Sequence, residues 1–272
     1  MNPLKNRKPG AAEPRKRRRI VYDAVTFSEL NGVRYLHFGT EWVQGAMSLR
    51  RPDDLILEYA QQMMAWMLFI GRPAHVLQLG LGAAALTKFC YRQFPACSVT
   101  AVDLNPSVIA AAHSMFKLPP DDDRLTVIEG DAQAYVEDPL QQGRFDAIQV
   151  DLYDASARGP VLESIEFYEA CRACLAPRGV VSVNLFGDHA SFGRNMKSLK
   201  QVFEGRVLAL PEVHDGNRVA LAFHGEAFDV PVSELIERAD QIKLATRLPA
   251  RTWVDGIRTE SASRGSAGRL VL

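Results

Sequence analysis

His75–Gly82 reads HVLQLGLG, Ser98–Pro106 reads SVTAVDLNP, Leu125–Ala132 reads LTVIEGDA, and Phe145–Asp154 reads FDAIQVDLYD. Each is a short apolar run that closes on Gly or Asp where a helix-forming segment begins. The pattern predicts strands over 75–80, 98–103, 125–131, 145–151 and 179–186. Helices are predicted near 83–94, 105–116, 132–138, 160–175 and 191–204. Strands alternating with helices imply right-handed βαβ units and a parallel sheet with both faces covered. The runs AIQV and VVSV fit strands buried on both faces. In an open α/β sheet, ligands bind outside the carboxyl ends of the strands. That rule gathers Gly80, Gly82 and the carboxylates of Asp103, Asp131, Asp151 and Asp154 around one crevice.

Downstream, RVLALPEV and NRVALAFHG flank His214-Asp215-Gly216, and Asp-Gly between apolar runs signals a hairpin. A last helix is predicted over Val232–Thr246, followed by a Ser/Gly-rich tail from Ser261. Upstream, IVYDAVTF, VRYLHF and EWVQGAMS are strand-like and separated by turn residues such as Asn31-Gly32. Pro52-Asp53-Asp54 opens a predicted helix whose stripe is Leu55, Tyr59, Met63, Met67 and Ile70, read as core packing. The chain thus divides into a disordered basic tail over 1–19, a small β-unit over 20–52, a Rossmann-like nucleoside-binding transferase domain over 53–250, and a mostly flexible tail over 251–272.

With 272 residues, 47% of them apolar, the chain can bury one sizeable core. Its net charge of zero is unevenly spread. Residues 1–19 carry +7, which leaves about −7 on the rest. An acidic body suits a cationic substrate and argues against nucleic acid as the main ligand. Met63–Ile70 is the longest apolar run, far below the roughly 18 residues of a membrane span. No apolar segment follows the basic N-terminus, so no signal peptide is expected. Four cysteines do not make a disulfide scaffold in a chain this long, and a reduced cytoplasmic setting is expected.

The individual residues carry chemistry and competing structural uses. Gly80-Leu81-Gly82-Ala83-Ala84-Ala85 opens a helix after a strand, and also fits the dinucleotide fingerprint. Asp103 lies 21 positions after Gly82, where a carboxylate can accept both ribose hydroxyl protons. The competing use is to cap the helix that starts at Asn105-Pro106. Asp131 can accept the amino group of an adenine, or cap the helix after it. Asp151 and Asp154 can face one small cavity, hold an amine cation and take its proton as it attacks. Tyr153 can add a cation–π face. Cys171 and Cys174 fall inside a predicted helix without further ligands, so no metal is expected.

These residues resemble the spermidine synthase family of polyamine aminopropyltransferases, over roughly residues 20–225. The resemblance rests on the β-unit, the Gly80/Gly82 loop, Val102-Asp103, Gly130-Asp131-Ala132, and DLYDASARGP followed by Phe167-Tyr168. It implies a class I S-adenosylmethionine-methyltransferase fold, whose parallel sheet ends in an antiparallel hairpin. The family transfers an aminopropyl group from decarboxylated S-adenosylmethionine to an amine and releases methylthioadenosine. By resemblance Asp151 is the general base, and Asp154, Tyr153 and Glu58 meet the cationic amine. Gln44, Gly80, Gly82, Asp103, Leu104, Asp131 and Ala132 meet the donor. The resemblance also implies a homodimer.

The departures are specific. The family's glycine loop carries an Asp that grips the donor's free amine, and Ala83 stands in its place. Leu57 and Glu58 replace a polyamine-binding Tyr and His, Ala155 replaces a Pro, and Asn184 or Leu185 replaces a Gln. Ala83 favours a second reading, a methyltransferase that uses intact S-adenosylmethionine on a small amine. A third reading is a ligand-binding relative without catalysis. The four retained carboxylates argue against that one.

Overall fold

The computed structural model describes residues 22, 24–153, 161–187, 189–213, 216–227, 229–263 and 268–272. Near the N-terminus, β1 (Val25–Leu30), β2 (Val33–Phe38) and β3 (Gly45–Ser48) form a three-stranded antiparallel sheet. The β1–β2 turn uses Asn31 and Gly32, both at positive φ (52° and 77°), as a two-residue hairpin requires. α1 (Glu58–Met63) and a 3-10 turn over Met64–Leu68 then lead into the main body.

The main body alternates as the sequence does. β4 (His75–Leu79), α2 (Ala85–Gln93), β5 (Ser98–Asp103), α3 (Pro106–Met115), β6 (Leu125–Glu129), α4 (Ala132–Glu137), β7 (Phe145–Val150), α5 (Ile165–Cys174), β8 (Leu175–Phe186) and α6 (Ala190–Val202) follow one another. β9 (Val207–Ala209) and β10 (Asn217–Phe223) complete a seven-stranded sheet in the order β6-β5-β4-β7-β8-β10-β9. The first five strands are parallel, and β10 runs antiparallel between β8 and β9. This is the class I methyltransferase-like α/β fold, with a small antiparallel sheet ahead of it.

Alternation along each central strand divides the core. Val76, Val99 and Ala101 pack with α1, the 3-10 turn and α2 on one face. Leu77, Leu79, Ile148 and Val150 pack with α4, α5 and α6 on the other. Strand order reverses between β4 and β7, so their carboxyl ends flank the topological switch point, where ligands bind in such sheets.

The small sheet is anchored over that end. Arg34 donates to Met115 O at 2.5 Å. Lys88, 1% exposed, donates to Pro52 O and Phe116 O, each at 2.7 Å. Burial pulls the Lys88 ammonium down to about 8. These bonds tie the linker before α1 and the end of α3 to α2.

Three expectations need correction. The helix expected from Pro52 begins only at Glu58, because Arg51–Asp54 closes a turn with Asp54 N–H on Arg51 O at 3.1 Å. Its second half is a buried 3-10 turn, an outcome of tertiary packing that apolar periodicity does not distinguish. Secondly, β8 starts at Leu175 rather than 179. Thirdly, Val232–Thr246, here α7, is not the last element. α8 (Ala250–Ser263) follows, and β11 (Asp229–Pro231) pairs with β12 (Arg269–Val271). Trp253, Val254 and Ile257 recur at helical spacing and are buried, as is Leu270. That apolar stripe folds residues 250–263 onto the body where a mostly flexible tail was expected. The basic tail over 1–19 and the His214-Asp215 turn lie outside the described residues.

Candidate active site

β4 ends where the chain must turn sharply beneath a neighbouring strand. Gly80 has φ 86°, and a Cβ there would lie 2.1 Å from Asp151 O. No other residue fits under β7. Gly82 and Ala84 also take positive φ, 50° and 53°, before α2 begins. The small sheet closes over the same loop: a Cβ on Gly45 would lie 2.7 Å from the Ala83 Cβ. Ala83, 3% exposed, joins an apolar cluster with Leu36, Met47 and Phe116. Its side chain therefore faces β3.

Above the loop lies a cavity of about 790 Å³. One part of its wall is formed by Gly80, Gly82, Asp103, Leu104, Asp131 and Ala132. Asp103 Oδ2 accepts from Leu81 N–H and Oδ1 from Asn105 N–H, both at 2.8 Å. Burial raises the Asp103 carboxyl, and N–H bonds from Leu81, Asn105 and Gly82 pull it back in part. So Asp103 holds the glycine loop as well as facing the cavity. The cap of α3 is Asn105, whose Oδ1 accepts from Ser107 N–H at 2.9 Å. Asp131 does cap α4, with Oδ1 accepting from Ala134 N–H at 2.8 Å. Its second oxygen is not used by that cap.

At the other end, Asp151 follows β7. Asn184 Nδ2 donates to its Oδ1 at 2.9 Å, and the Tyr59 hydroxyl reaches its Oδ2 at 3.4 Å. Asn217 Nδ2 donates to Asn184 Oδ1 at 3.0 Å, which fixes the amide so that its donor end faces Asp151. Burial pushes the Asp151 carboxyl up to about 6, against the Asn184 and Tyr59 bonds. The Tyr153 hydroxyl donates to Asn184 O at 3.1 Å. Burial, with the Asp151 charge beside it, raises that phenol, so it stays protonated. The small sheet roofs the cavity with Tyr35, Phe38, Trp42 and Gln44. The charged residues on its wall are Glu41, Asp103, Asp131 and Asp151, all acidic, among the described residues.

The cavity brings together Gln44, Gly80, Gly82, Asp103, Leu104, Asp131, Ala132, Asp151 and Tyr153, drawn from five separate segments. Glu58 is exposed on the first turn of α1 and is not on the cavity wall. The next residue, Tyr59, is on it. Asp154 and Ala155 lie outside the described residues. Sequence reasoning assigned Tyr59 to a core stripe and did not single out Asn217. A Tyr on an apolar stripe carries a hydroxyl that needs a partner, and that signal points to Asp151.

A family model described as "Methyltransferase domain" matches residues 76–179. The polyamine aminopropyltransferase of Chromobacterium violaceum is 34% identical over 91% of this chain and 94% of its own length. A crystal structure titled "probable spermidine synthase", from Corynebacterium glutamicum, superposes with a TM-score of 0.69 at 21% identity, covering 82% of this chain and 84% of that one. Human methyltransferase-like protein 13, in complex with SAH, superposes with a TM-score of 0.62 at 23% identity, covering 71% of this chain and 93% of that one.

Proposed function

The chain belongs to the polyamine aminopropyltransferase family, and from that premise we propose that it transfers an aminopropyl group from decarboxylated S-adenosylmethionine to a small cationic amine. The observation that carries this reading is Asp151: a part-buried carboxylate, held by two side chains, at the floor of a cavity whose charged wall is acidic among the described residues.

The donor supplies a carbon made electrophilic by an adjacent sulfonium. The protein binds its adenosine end through Gly80, Gly82, Asp103 and Asp131. An acceptor amine arrives protonated at neutral pH. Ionised Asp151 attracts that ammonium, takes one proton and leaves a neutral nitrogen able to attack. As the new C–N bond forms, the C–S bond breaks and its electron pair stays on sulfur, leaving a neutral thioether. Displacement at such a carbon depends mainly on positioning. Asn184 and Asn217 supply it by fixing the Asp151 carboxylate, and Tyr153 by holding the Asn184 backbone. Asp154 is proposed as the anchor for the far amine of the acceptor. Among the described residues, four free, buried cysteines support a reducing, cytoplasmic setting, and no helix is long and apolar enough to cross a membrane.

Ala83 in the glycine loop favours one alternative, methyl transfer from intact S-adenosylmethionine. Calorimetry with intact and decarboxylated donor separates the two. Aminopropyl transfer requires tighter binding of the decarboxylated donor, because the intact one brings a carboxylate into an acidic cavity. Tighter binding of the intact donor overturns the reading in favour of methyl transfer.

A further inference from the structure

Gln78 lies in the middle of β4 and is 1% exposed. Its Nε2 donates to Gly80 O at 2.7 Å. That bond fixes the amide, because an oxygen in the same place would face another oxygen. Oε1 has no hydrogen-bond partner. Leaving a buried acceptor unpaired costs about 1–3 kcal/mol. Its neighbours across the sheet are satisfied. Gln149 donates to Met64 Sδ at 3.0 Å and accepts from Cys90 Sγ at 3.6 Å. Ser182 donates to Met63 O at 2.9 Å.

Gln78 borders a recess of about 20 Å³ beneath the glycine loop, together with Ala83 and Leu86. Gln44, Leu57, Tyr59, Gly82 and Asp151 border both this recess and the large cavity. The recess is therefore a side pocket at the reacting end. Its volume admits one water-sized group. Its wall includes the Gln78 amide oxygen, which no protein donor reaches, and the Asp151 carboxylate, and it carries no cationic side chain. An ammonium is water-sized and carries only donors.

We propose that this recess receives the primary ammonium at the end of the donor's transferable chain, and that Gln78 is a specificity-determining residue which accepts a hydrogen bond from it. The inference rests on the aminopropyl reading. It explains why a strand interior keeps a carboxamide with its oxygen aimed at no protein donor. Asp151 supplies the charge that makes a cation preferable to a neutral water in the same space.

The test compares two ligands by calorimetry: decarboxylated S-adenosylmethionine, and methylthioadenosine, which shares the nucleoside but lacks the ammonium chain. Gln78→Met keeps the volume and removes the acceptor. It should weaken the decarboxylated donor about tenfold and leave methylthioadenosine unchanged. Gln78→Glu should raise the ratio of the two affinities above that of the wild-type protein, and it carries the test if the Met variant does not fold. An unchanged ratio in the variant that folds means that the recess holds a water only, and overturns the proposal. If wild-type protein binds methylthioadenosine but gains nothing from the ammonium chain, the recess assignment falls while the nucleoside site stands. If neither ligand binds, the functional reading falls with it.

Discussion

Replacing Asp151 with Asn should cut turnover sharply and stabilise the fold at the same time. Burial lifts the carboxyl from 3.8 to about 6, so the folded state favours the protonated form more than the unfolded state does. Between those values the folded chain keeps a proton that the unfolded chain has released, and stability falls as pH rises. About a unit above pH 6 the penalty is complete. At about 1.4 kcal/mol per tenfold it amounts to roughly 3 kcal/mol. A neutral amide removes the penalty and keeps the geometry. Its oxygen can still accept from Asn184, and its nitrogen can donate to the Tyr59 hydroxyl. The gain should be about 3 kcal/mol at pH 8 and about half of that at pH 5. Urea denaturation of both proteins at the two pH values reads this directly. Turnover should fall by about 10²–10⁴. A variant that is no more stable at pH 8, or one that retains turnover, would refute the assignment of Asp151 as a desolvated, charged base.

Other outcomes follow from the same geometry. The pH profile of kcat/KM should rise through an apparent pKa of about 6, the Asp151 value; a profile flat from pH 5 to 8 removes Asp151 as the base. Asp103→Ala should weaken methylthioadenosine by about 1.5–3 kcal/mol and also lower the melting temperature, since Leu81 and Asn105 N–H lose their acceptor. Unchanged nucleoside affinity in calorimetry would sink that placement. Ala83→Asp should lower the melting temperature without ligand, because it buries a second carboxylate beside the recess that Asp151 borders. Decarboxylated donor should recover more of the loss than methylthioadenosine does, and equal recovery would show that residue 83 does not face the donor's chain.

The sheet was legible because its strands are buried on both faces and each announces its end with Gly or Asp. The glycine loop was legible for the same reason: only Gly at 80 tolerates Asp151 O at 2.1 Å from a Cβ. What the sequence hid depends on through-space partners. Glu58 and Tyr59 are adjacent, and only the entry angle of α1 decides which one meets Asp151. Asp131 shows a limit of another kind, since its carboxylate both caps α4 and borders the cavity, uses that composition cannot separate. The orphaned oxygen of Gln78 has no sequence signature, because a Gln in a strand reads as a polar interruption until its partners are counted. α8 was hidden by the Ser/Gly-rich residues beyond it, although Trp253, Val254 and Ile257 carry its apolar stripe.

The central claim is that this cavity moves an aminopropyl group. Mass spectrometry of products from the purified protein, decarboxylated S-adenosylmethionine and a primary diamine tests it most directly. The account predicts methylthioadenosine and the aminopropylated amine in equal amounts, with both at least about a hundredfold slower to form in Asp151→Asn. Absence of methylthioadenosine, with intact S-adenosylmethionine instead giving adenosylhomocysteine and a methylated amine, would contradict it.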